Sequence, residues 1–258
     1  MFISSQDLEK IYQDDSVLIL DARSYKDYSK GHIPGSVSLD LFSFHWADTS
    51  QKGLVSFGEH MRKILSYAGI DENKKIIFYD HSSGMLAARG VWMCLYFSHP
   101  DVKMLDGGIS KWTRENLPTE KKSTIYKPSN LTTSLDPSII IGFEELNENI
   151  GKITIIDARS PDEFDGTIPR AARGGHIPTA KNIDWNNNLD DSGKLKSDSE
   201  LESIYQLDRE SQIVTYCQGA YRAANSYLSL KKIGFKNVKV YLGSWGEWGN
   251  NLKLPIEK

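Results

Sequence analysis

Apolar and polar positions alternate along the chain in a way that predicts short buried strands separated by helices. The run from Ile213 to Tyr216 is β-branched and aromatic, which is typical of a buried strand. Helical spacing follows from Ala223 to Lys232, and Gly234 is expected to end that helix. Three further segments have helical spacing: 58–68, 87–97 and 200–207. Strands alternating with helices favour an α/β fold with a mainly parallel sheet, in which ligands bind at the strand ends.

The chain repeats itself once, so two similar units are expected. The corresponding segments, first unit before second, are 17–24 and 153–160, 31–34 and 175–178, 76–80 and 213–217, and 102–112 and 238–248. We predict a first domain over residues 1–120 and a second over residues 139–258. Residues 121–138 between them form the predicted linker, which contains Pro128 and Pro137 and lacks sustained periodicity.

A cysteine stands where the predicted strand 213–216 leads into the next helix. The loop from Cys217 to Arg222 contains Gly219, and backbone N–H groups can converge at such a turn in front of a helix. A helix N-terminus or a nearby arginine lowers a thiol pKa from about 8.5 to roughly 3.5–7.5. We therefore predict a reactive thiolate at Cys217, with Arg222 as the charged partner of a bound oxyanion. The alternative from residue type alone is a buried core cysteine.

Composition and charge narrow the class of protein. The net charge of −3 gives no reason to expect binding to nucleic acid or to a membrane surface. No apolar run approaches the ~20 residues that cross a bilayer, and the N-terminus lacks the pattern of a signal peptide. The two cysteines form no disulfide framework and no metal-binding spacing, so a cytoplasmic location is expected. Cys94 lies in an apolar run and is predicted to be core.

Taken together, these motifs resemble those of the tandem-domain rhodanese family of sulfurtransferases. The shared features are two Asp-Ala-Arg strand ends, two Gly-His-Ile-Pro turns, the Tyr-Cys loop and the segment Gly-Ser-Trp-Gly-Glu-Trp at 243–248. The resemblance implies two rhodanese-like α/β domains, with the active site at the cleft between them. It also implies a catalytically silent first domain. Asp80 stands there at the position of Cys217, and a carboxylate cannot carry a sulfane sulfur.

The resemblance further implies transfer of sulfane sulfur through a persulfide on Cys217, with no metal or organic cofactor. The donor is expected to be thiosulfate or a similar compound, and the acceptor cyanide or a thiol, including a thiol protein such as thioredoxin. Backbone N–H groups of the loop are expected to stabilise the anions in both steps. The residues expected to bind the donor are Gln218, Gly219, Ala220, Tyr221, Arg222, Arg170 and Arg173.

Arg170 and Arg173 lie in an insertion that the first unit lacks. In related two-domain enzymes, arginines of this segment face the active-site sulfur. Here Glu163 precedes the aromatic Phe164, where several relatives carry an arginine. Arg170 and Arg173 either substitute for that arginine or are solvated loop charges.

Three residues near the site recur in the first unit, which lacks the cysteine. Asp157, Arg159 and His176 correspond there to Asp21, Arg23 and His32. Because the first unit is expected to be silent, we interpret all three as mainly structural, with the aspartate accepting loop N–H groups or pairing with the arginine.

Other functions remain open from the sequence alone. A 3-mercaptopyruvate sulfurtransferase is the nearest alternative, because the loop Cys-Gln-Gly-Ala-Tyr-Arg matches neither common family variant. A cysteine phosphatase would need one more residue between Cys217 and Arg222 to surround a phosphate. A non-enzymatic binding or redox-sensing module is the alternative from a different class.

Overall fold

Two five-stranded parallel sheets organise the protein, whose computed structural model describes all 258 residues. The strands of the first sheet are β1 (Phe2–Ile3), β2 (Val17–Asp21), β3 (Val37–Ser38), β4 (Lys75–Tyr79) and β5 (Val102–Leu105). Those of the second are β6 (Ile140–Ile141), β7 (Thr154–Asp157), β8 (Lys181–Asn182), β9 (Ile213–Tyr216) and β10 (Val238–Tyr241). The strand orders are β1-β5-β4-β2-β3 and β6-β10-β9-β7-β8, so the two sheets share one topology.

Helices connect the strands in both halves. The first half contains α1 (Ser5–Glu9), α2 (Tyr25–Tyr28), α3 (Gln51–Tyr67), α4 (Met85–Tyr96) and α5 (Gly108–Arg114). The second contains α6 (Phe143–Glu148), α7 (Pro161–Phe164), α8 (Asp198–Tyr205), α9 (Tyr221–Lys232) and α10 (Ser244–Trp248). Two 3₁₀ turns lie at Pro137–Ile139 and Trp185–Asn188. None of the helices combines the length and the apolar composition that crossing a membrane requires.

Burial of the central strands explains their continuous apolar runs. All four residues of β9 are buried, as are the last four of β4, because a parallel sheet is covered on both faces. Each half has a core cluster against its sheet, with Trp112 in the first and Trp248 in the second. The indole N–H of Trp112 donates to the Pro118 carbonyl, and that of Trp248 to the Pro255 carbonyl, both at 2.7 Å. Cys94 is buried on α4, as predicted.

The compact units are not contiguous in sequence. The first unit comprises residues 1–44, 58–136 and 189–195, and the second comprises 45–57, 137–188 and 196–258. Most of the predicted linker therefore belongs to the first unit, and each unit contains a segment from the other half of the chain. A repeat shows which strands correspond, but it does not show which core a connecting segment packs against.

Helix boundaries differ from the predicted ones mainly at the N-termini. Helix α3 begins seven residues before the predicted start at position 58. Helix α8 begins at Asp198, where the Ser197 hydroxyl accepts the Glu200 N–H in a capping box. Helix α9 begins at Tyr221, so Arg222 lies in its first turn rather than in the preceding loop. The start of α8 depends on this capping box and that of α9 on the left-handed Ala220, and hydrophobic spacing reports neither.

Candidate active site

Cys217 follows the last residue of β9 and is held by a serine hydroxyl. The Ser244 Oγ accepts the backbone N–H of Cys217 at 3.2 Å and that of Ala220 at 3.1 Å, and donates to the Tyr241 carbonyl at 2.9 Å. The Cys217 carbonyl accepts the Trp245 N–H at 2.9 Å. The loop is therefore tied at both ends to the start of α10. Ser244 was not among the predicted site residues, although it belongs to the 243–248 segment that the sequence singled out.

The loop ends in a left-handed residue that starts α9. Ala220 is the N-cap with φ of 66°, and the first intrahelical bond runs from the Ala224 N–H to the Ala220 carbonyl at 3.1 Å. The N–H groups before that bond, such as that of Arg222, point to the loop side of the helix. Aligned peptide dipoles give this end a partial positive charge, which favours an anion beside Cys217.

Arg222 connects the thiol to a buried carboxylate. Its guanidinium donates to Glu163 through two bonds, from Nη1 to Oε2 at 2.5 Å and from Nη2 to Oε1 at 3.0 Å. The Cys217 side chain is the second group that favours the charged guanidinium and raises the pKa of Arg222. Burial alone would lower the pKa of Arg222, but the bonds and charges of Glu163 and Cys217 outweigh burial and raise it. The buried thiol of Cys217 therefore has a permanent cation among its neighbours, unlike a core cysteine that is surrounded only by apolar side chains.

Glu163 is the acidic residue of this site, and α7 holds it in place. It is the third residue of α7, where its backbone N–H is accepted by the Ser160 hydroxyl and its carboxylate bonds back to the Ser160 N–H. Burial opposes ionisation, but the bonds and charges of Arg222 bring the pKa of Glu163 down to about 2. In the sequence, Glu163 stands out only as a departure from relatives, because its partner lies 59 residues away along the chain.

The two arginines of the insertion are placed differently. Arg170 is 55% exposed in its side chain, and its Nη1 lies 3.6 Å from Glu163 Oε1. Its carbonyl accepts the Gln218 side-chain amide at 3.0 Å, which joins the insertion to the loop. The Arg173 guanidinium instead donates to the carbonyls of Trp248, Gly249, Asn251 and Leu254. These bonds favour a structural role for Arg173, holding the C-terminal tail.

Asp157 and Arg159 form a buried pair behind the loop. Two bonds join Arg159 Nε to Asp157 at 2.9 Å, and Nη2 donates to the Gly175 carbonyl at 2.8 Å. The Arg159 guanidinium also lies 4.6 Å from the centre of the Trp245 ring. His176 stacks on Phe164, with 3.6 Å between the ring centres.

The same contacts recur in the first unit. Arg23 binds Asp21 through Nε and Nη2 and donates to the Gly31 carbonyl at 2.8 Å. His32 stacks on Tyr28 with ring centres 3.7 Å apart. The repetition supports a structural role for this set in both units.

One residue near the loop comes from a distant part of the sequence. His45 belongs to the segment 45–57 of the second unit, and its Nδ1 would lie 3.0 Å from a Cβ added to Gly219. Its ring also meets Tyr221 edge-on, with 5.1 Å between the ring centres. The sequence carried no signal for His45, because no local pattern places residue 45 against residue 219.

The corresponding loop of the first unit is filled by its own side chain. The Asp80 carboxylate is buried and accepts four backbone N–H groups at 3.0–3.2 Å, from Ser82, Gly84, Leu86 and Ala87. Burial raises the pKa of Asp80, and these four bonds oppose the rise. The loop amides of this unit are therefore already occupied by an internal anion, which supports its interpretation as catalytically silent.

The fold and the loop together define a class of α/β proteins with a cysteine presented to the N-terminus of a helix. The family model described as rhodanese-like domain matches residues 4–115 and again residues 143–251. The chain therefore belongs to the rhodanese family, with two rhodanese-like domains. The predicted family and the predicted α/β fold class are confirmed.

Named relatives extend this comparison. The chain is 31% identical to the sulfur carrier protein TtuD of Thermus thermophilus, over 100% of this chain and 96% of the relative. It is 32% identical to a thiosulfate sulfurtransferase of Corynebacterium glutamicum, over 89% and 81% of the two chains. The crystal structure of the 3-mercaptopyruvate sulfurtransferase SseA from Escherichia coli superposes with a TM-score of 0.80, at 27% identity over 95% of this chain and 98% of SseA. These findings confirm the predicted rhodanese-type sulfurtransferase.

Proposed function

We propose that Cys217 carries the transferred sulfur as a persulfide, with thiosulfate or a similar sulfane compound as donor and cyanide or a thiol as acceptor. The observation that carries this proposal is the position of Cys217, between the end of β9 and the N-terminus of α9, with Arg222 in the first turn of that helix. A guanidinium and a helix N-terminus both stabilise a thiolate and an incoming anion.

The reaction divides into two displacements at sulfur. The Cys217 thiolate attacks the outer sulfur of thiosulfate, and the S–S bond of the donor breaks with its electron pair leaving on sulfite. One S–S bond forms as another breaks, so no external oxidant or reductant is needed. Cyanide or a thiolate then attacks the terminal sulfur of the persulfide, which releases thiocyanate or a new persulfide and regenerates the Cys217 thiolate.

Several groups of the site support the charges in both steps. We assign stabilisation of the anions to the Arg222 guanidinium and to the backbone N–H groups of Gln218, Gly219, Tyr221 and Arg222. The Ala220 N–H is left out of this set, because it donates to the Ser244 hydroxyl. Arg170 is the second cation, since it is exposed and close to the same Glu163 carboxylate as Arg222. Arg173 is omitted from the proposed donor contacts, because its guanidinium already binds the carbonyls of the tail.

The donor and acceptor are proposed from the relatives. Relatives named as thiosulfate sulfurtransferases favour thiosulfate, and the similarity to SseA supports 3-mercaptopyruvate as the second candidate. The relative named as a sulfur carrier protein supports a thiol protein, such as thioredoxin, as an acceptor. Both cysteines are free thiols, which supports a reducing location such as the cytoplasm.

The persulfide can be tested directly by mass spectrometry. After incubation with thiosulfate, the peptide containing Cys217 is expected to gain one sulfur atom, which cyanide removes as thiocyanate. Cys217→Ala should abolish thiocyanate formation with an unchanged circular dichroism spectrum. Cys94→Ala, which removes the other thiol from the core of the first unit, is the control that should retain activity.

Two results would replace the proposal. Rapid sulfenic acid formation with peroxide, combined with no sulfur gain from thiosulfate, would indicate a redox sensor. Faster transfer from 3-mercaptopyruvate than from thiosulfate would assign the second donor instead.

A further inference from the structure

Glu163 occupies the edge of Arg222 that would otherwise bind an oxyanion. Two parallel hydrogen bonds, at 2.5 and 3.0 Å, use both terminal nitrogens of the guanidinium. This fork geometry is the one through which arginine binds carboxylate and phosphate groups. A donor that arrives beside Cys217 therefore meets an arginine whose strongest binding edge already holds a carboxylate.

The charges in contact around the thiol balance one another. Glu163 contacts Arg222 and also lies 3.6 Å from Arg170 Nη1. With Cys217 as a thiolate, the four groups carry two positive and two negative charges. The Glu163 side chain is only 7% exposed, so water screens its charge weakly. The pKa of Glu163 of about 2 keeps this carboxylate ionised through the neutral range.

We propose that Glu163 is a specificity-determining residue that sets the donor charge accepted at Cys217. By neutralising Arg222, it disfavours doubly charged donors such as thiosulfate relative to singly charged thiosulfonates, R–SO₂–S⁻. The inference rests on the proposed function and concerns donor choice at the same cysteine. With a thiosulfonate, Cys217 attacks the outer sulfur, the S–S bond breaks, and the electron pair leaves on the sulfinate R–SO₂⁻.

Both donors deliver the outer sulfur of an S–S bond, and in benzenethiosulfonate a phenyl group replaces one charged oxygen of thiosulfate. The change in their ratio between wild type and variant cancels the difference in size and leaves the effect of charge. The test measures kcat/KM for thiosulfate and for benzenethiosulfonate, with cyanide as acceptor, in the wild type and in Glu163→Gln. Glutamine removes the charge and can still complete the capping box of α7. The ratio of thiosulfate to thiosulfonate kcat/KM is expected to rise about tenfold in Glu163→Gln.

Glu145→Gln is the matched control for loss of one carboxylate from the same unit. Glu145 is 54% exposed and pairs with Lys239 at 2.6 Å, and it contacts no residue of the proposed site. The ratio of thiosulfate to thiosulfonate kcat/KM in Glu145→Gln should equal that of the wild type. An unchanged or lower ratio in Glu163→Gln would overturn the inference, while turnover of both donors would leave the proposed function standing. Failure of both donors to load Cys217 in the wild type would instead reject the proposed function.

A second measurement keeps the inference testable if Glu163→Gln does not fold. If the positive and negative charges of the site are equal in number, added salt should lower kcat/KM no more steeply for thiosulfate than for benzenethiosulfonate in the wild type. A much steeper fall for thiosulfate would show that the site attracts the second charge, and would contradict the role given to Glu163.

Discussion

At the scale of single residues, the two corresponding loops differ in whether they contain a negatively charged side chain of their own. In the first unit the Asp80 carboxylate fills the ring of backbone N–H groups itself. In the second, the Cys217 side chain is shorter than an aspartate side chain, and Arg222 is the charged group that acts on it. The carboxylate of Asp80 thus binds the amides of its own loop, whereas in the second loop the Cys217 and Ala220 N–H groups donate to the Ser244 hydroxyl.

Asp80→Ala is expected to leave several backbone N–H groups without an acceptor. Each buried donor left unpaired costs about 1–3 kcal/mol, so the free energy of unfolding should fall by at least about 2 kcal/mol. A small carboxylate such as formate should bind in the vacated ring and raise the melting temperature of this variant. Asp101→Ala, at a more exposed carboxylate of the same unit, should show neither effect. Equal stability of Asp80→Ala and the wild type would contradict this account.

At the scale of elements, a buried carboxylate binds the segment 45–57 within the second unit. Glu247 of α10 accepts the Thr49 backbone N–H at 2.7 Å, the Thr49 hydroxyl at 2.5 Å and the Tyr241 hydroxyl at 2.7 Å. The Thr49 Oγ1 in turn accepts the Phe143 N–H at 3.0 Å. Burial raises the pKa of Glu247, and the Thr49 and Tyr241 bonds oppose that rise. The same segment carries His45 to the Gly219 turn.

Thr49→Val should loosen this attachment, because valine keeps the shape of threonine and removes its hydroxyl. The Phe143 N–H and one Glu247 oxygen lose a partner, so local opening is expected to become easier by about 1–3 kcal/mol. Hydrogen exchange at the amides of residues 49 and 143 measures this change. Thr49→Ser keeps the hydroxyl and should protect both amides as the wild type does. Wild-type protection in Thr49→Val would show that the segment is held by other contacts.

At the scale of the whole molecule, neither half of the sequence contains a complete unit. The second unit includes residues 45–57, and the first includes residues 189–195, where the Gly193 carbonyl accepts the Ser83 N–H at 2.8 Å. A break of the chain at residue 136 would therefore remove a segment from each unit.

A fragment of residues 137–258 is expected to be less stable than the second unit in the full chain and to lack sulfur transfer. A synthetic peptide of residues 45–57 should bind the fragment and stabilise it. Once the peptide is in excess, the melting temperature of the fragment should rise with the logarithm of the peptide concentration. A peptide of the same composition in scrambled order is the control. Full stability and activity of the fragment alone would show that the segment contributes nothing to this unit.

The amino-acid sequence by itself determined the three central strands of each unit, their repeated order, the family and the cysteine. These features follow from local information, since alternation, β-branched runs and short motifs are read within a few residues. The tertiary structure decided the rest: Glu163 against Arg222, Ser244 under the loop, and the placement of residues 45–57 and 189–195. Those contacts join residues far apart in the chain, and their free energy depends on burial and on partners that exist only after folding.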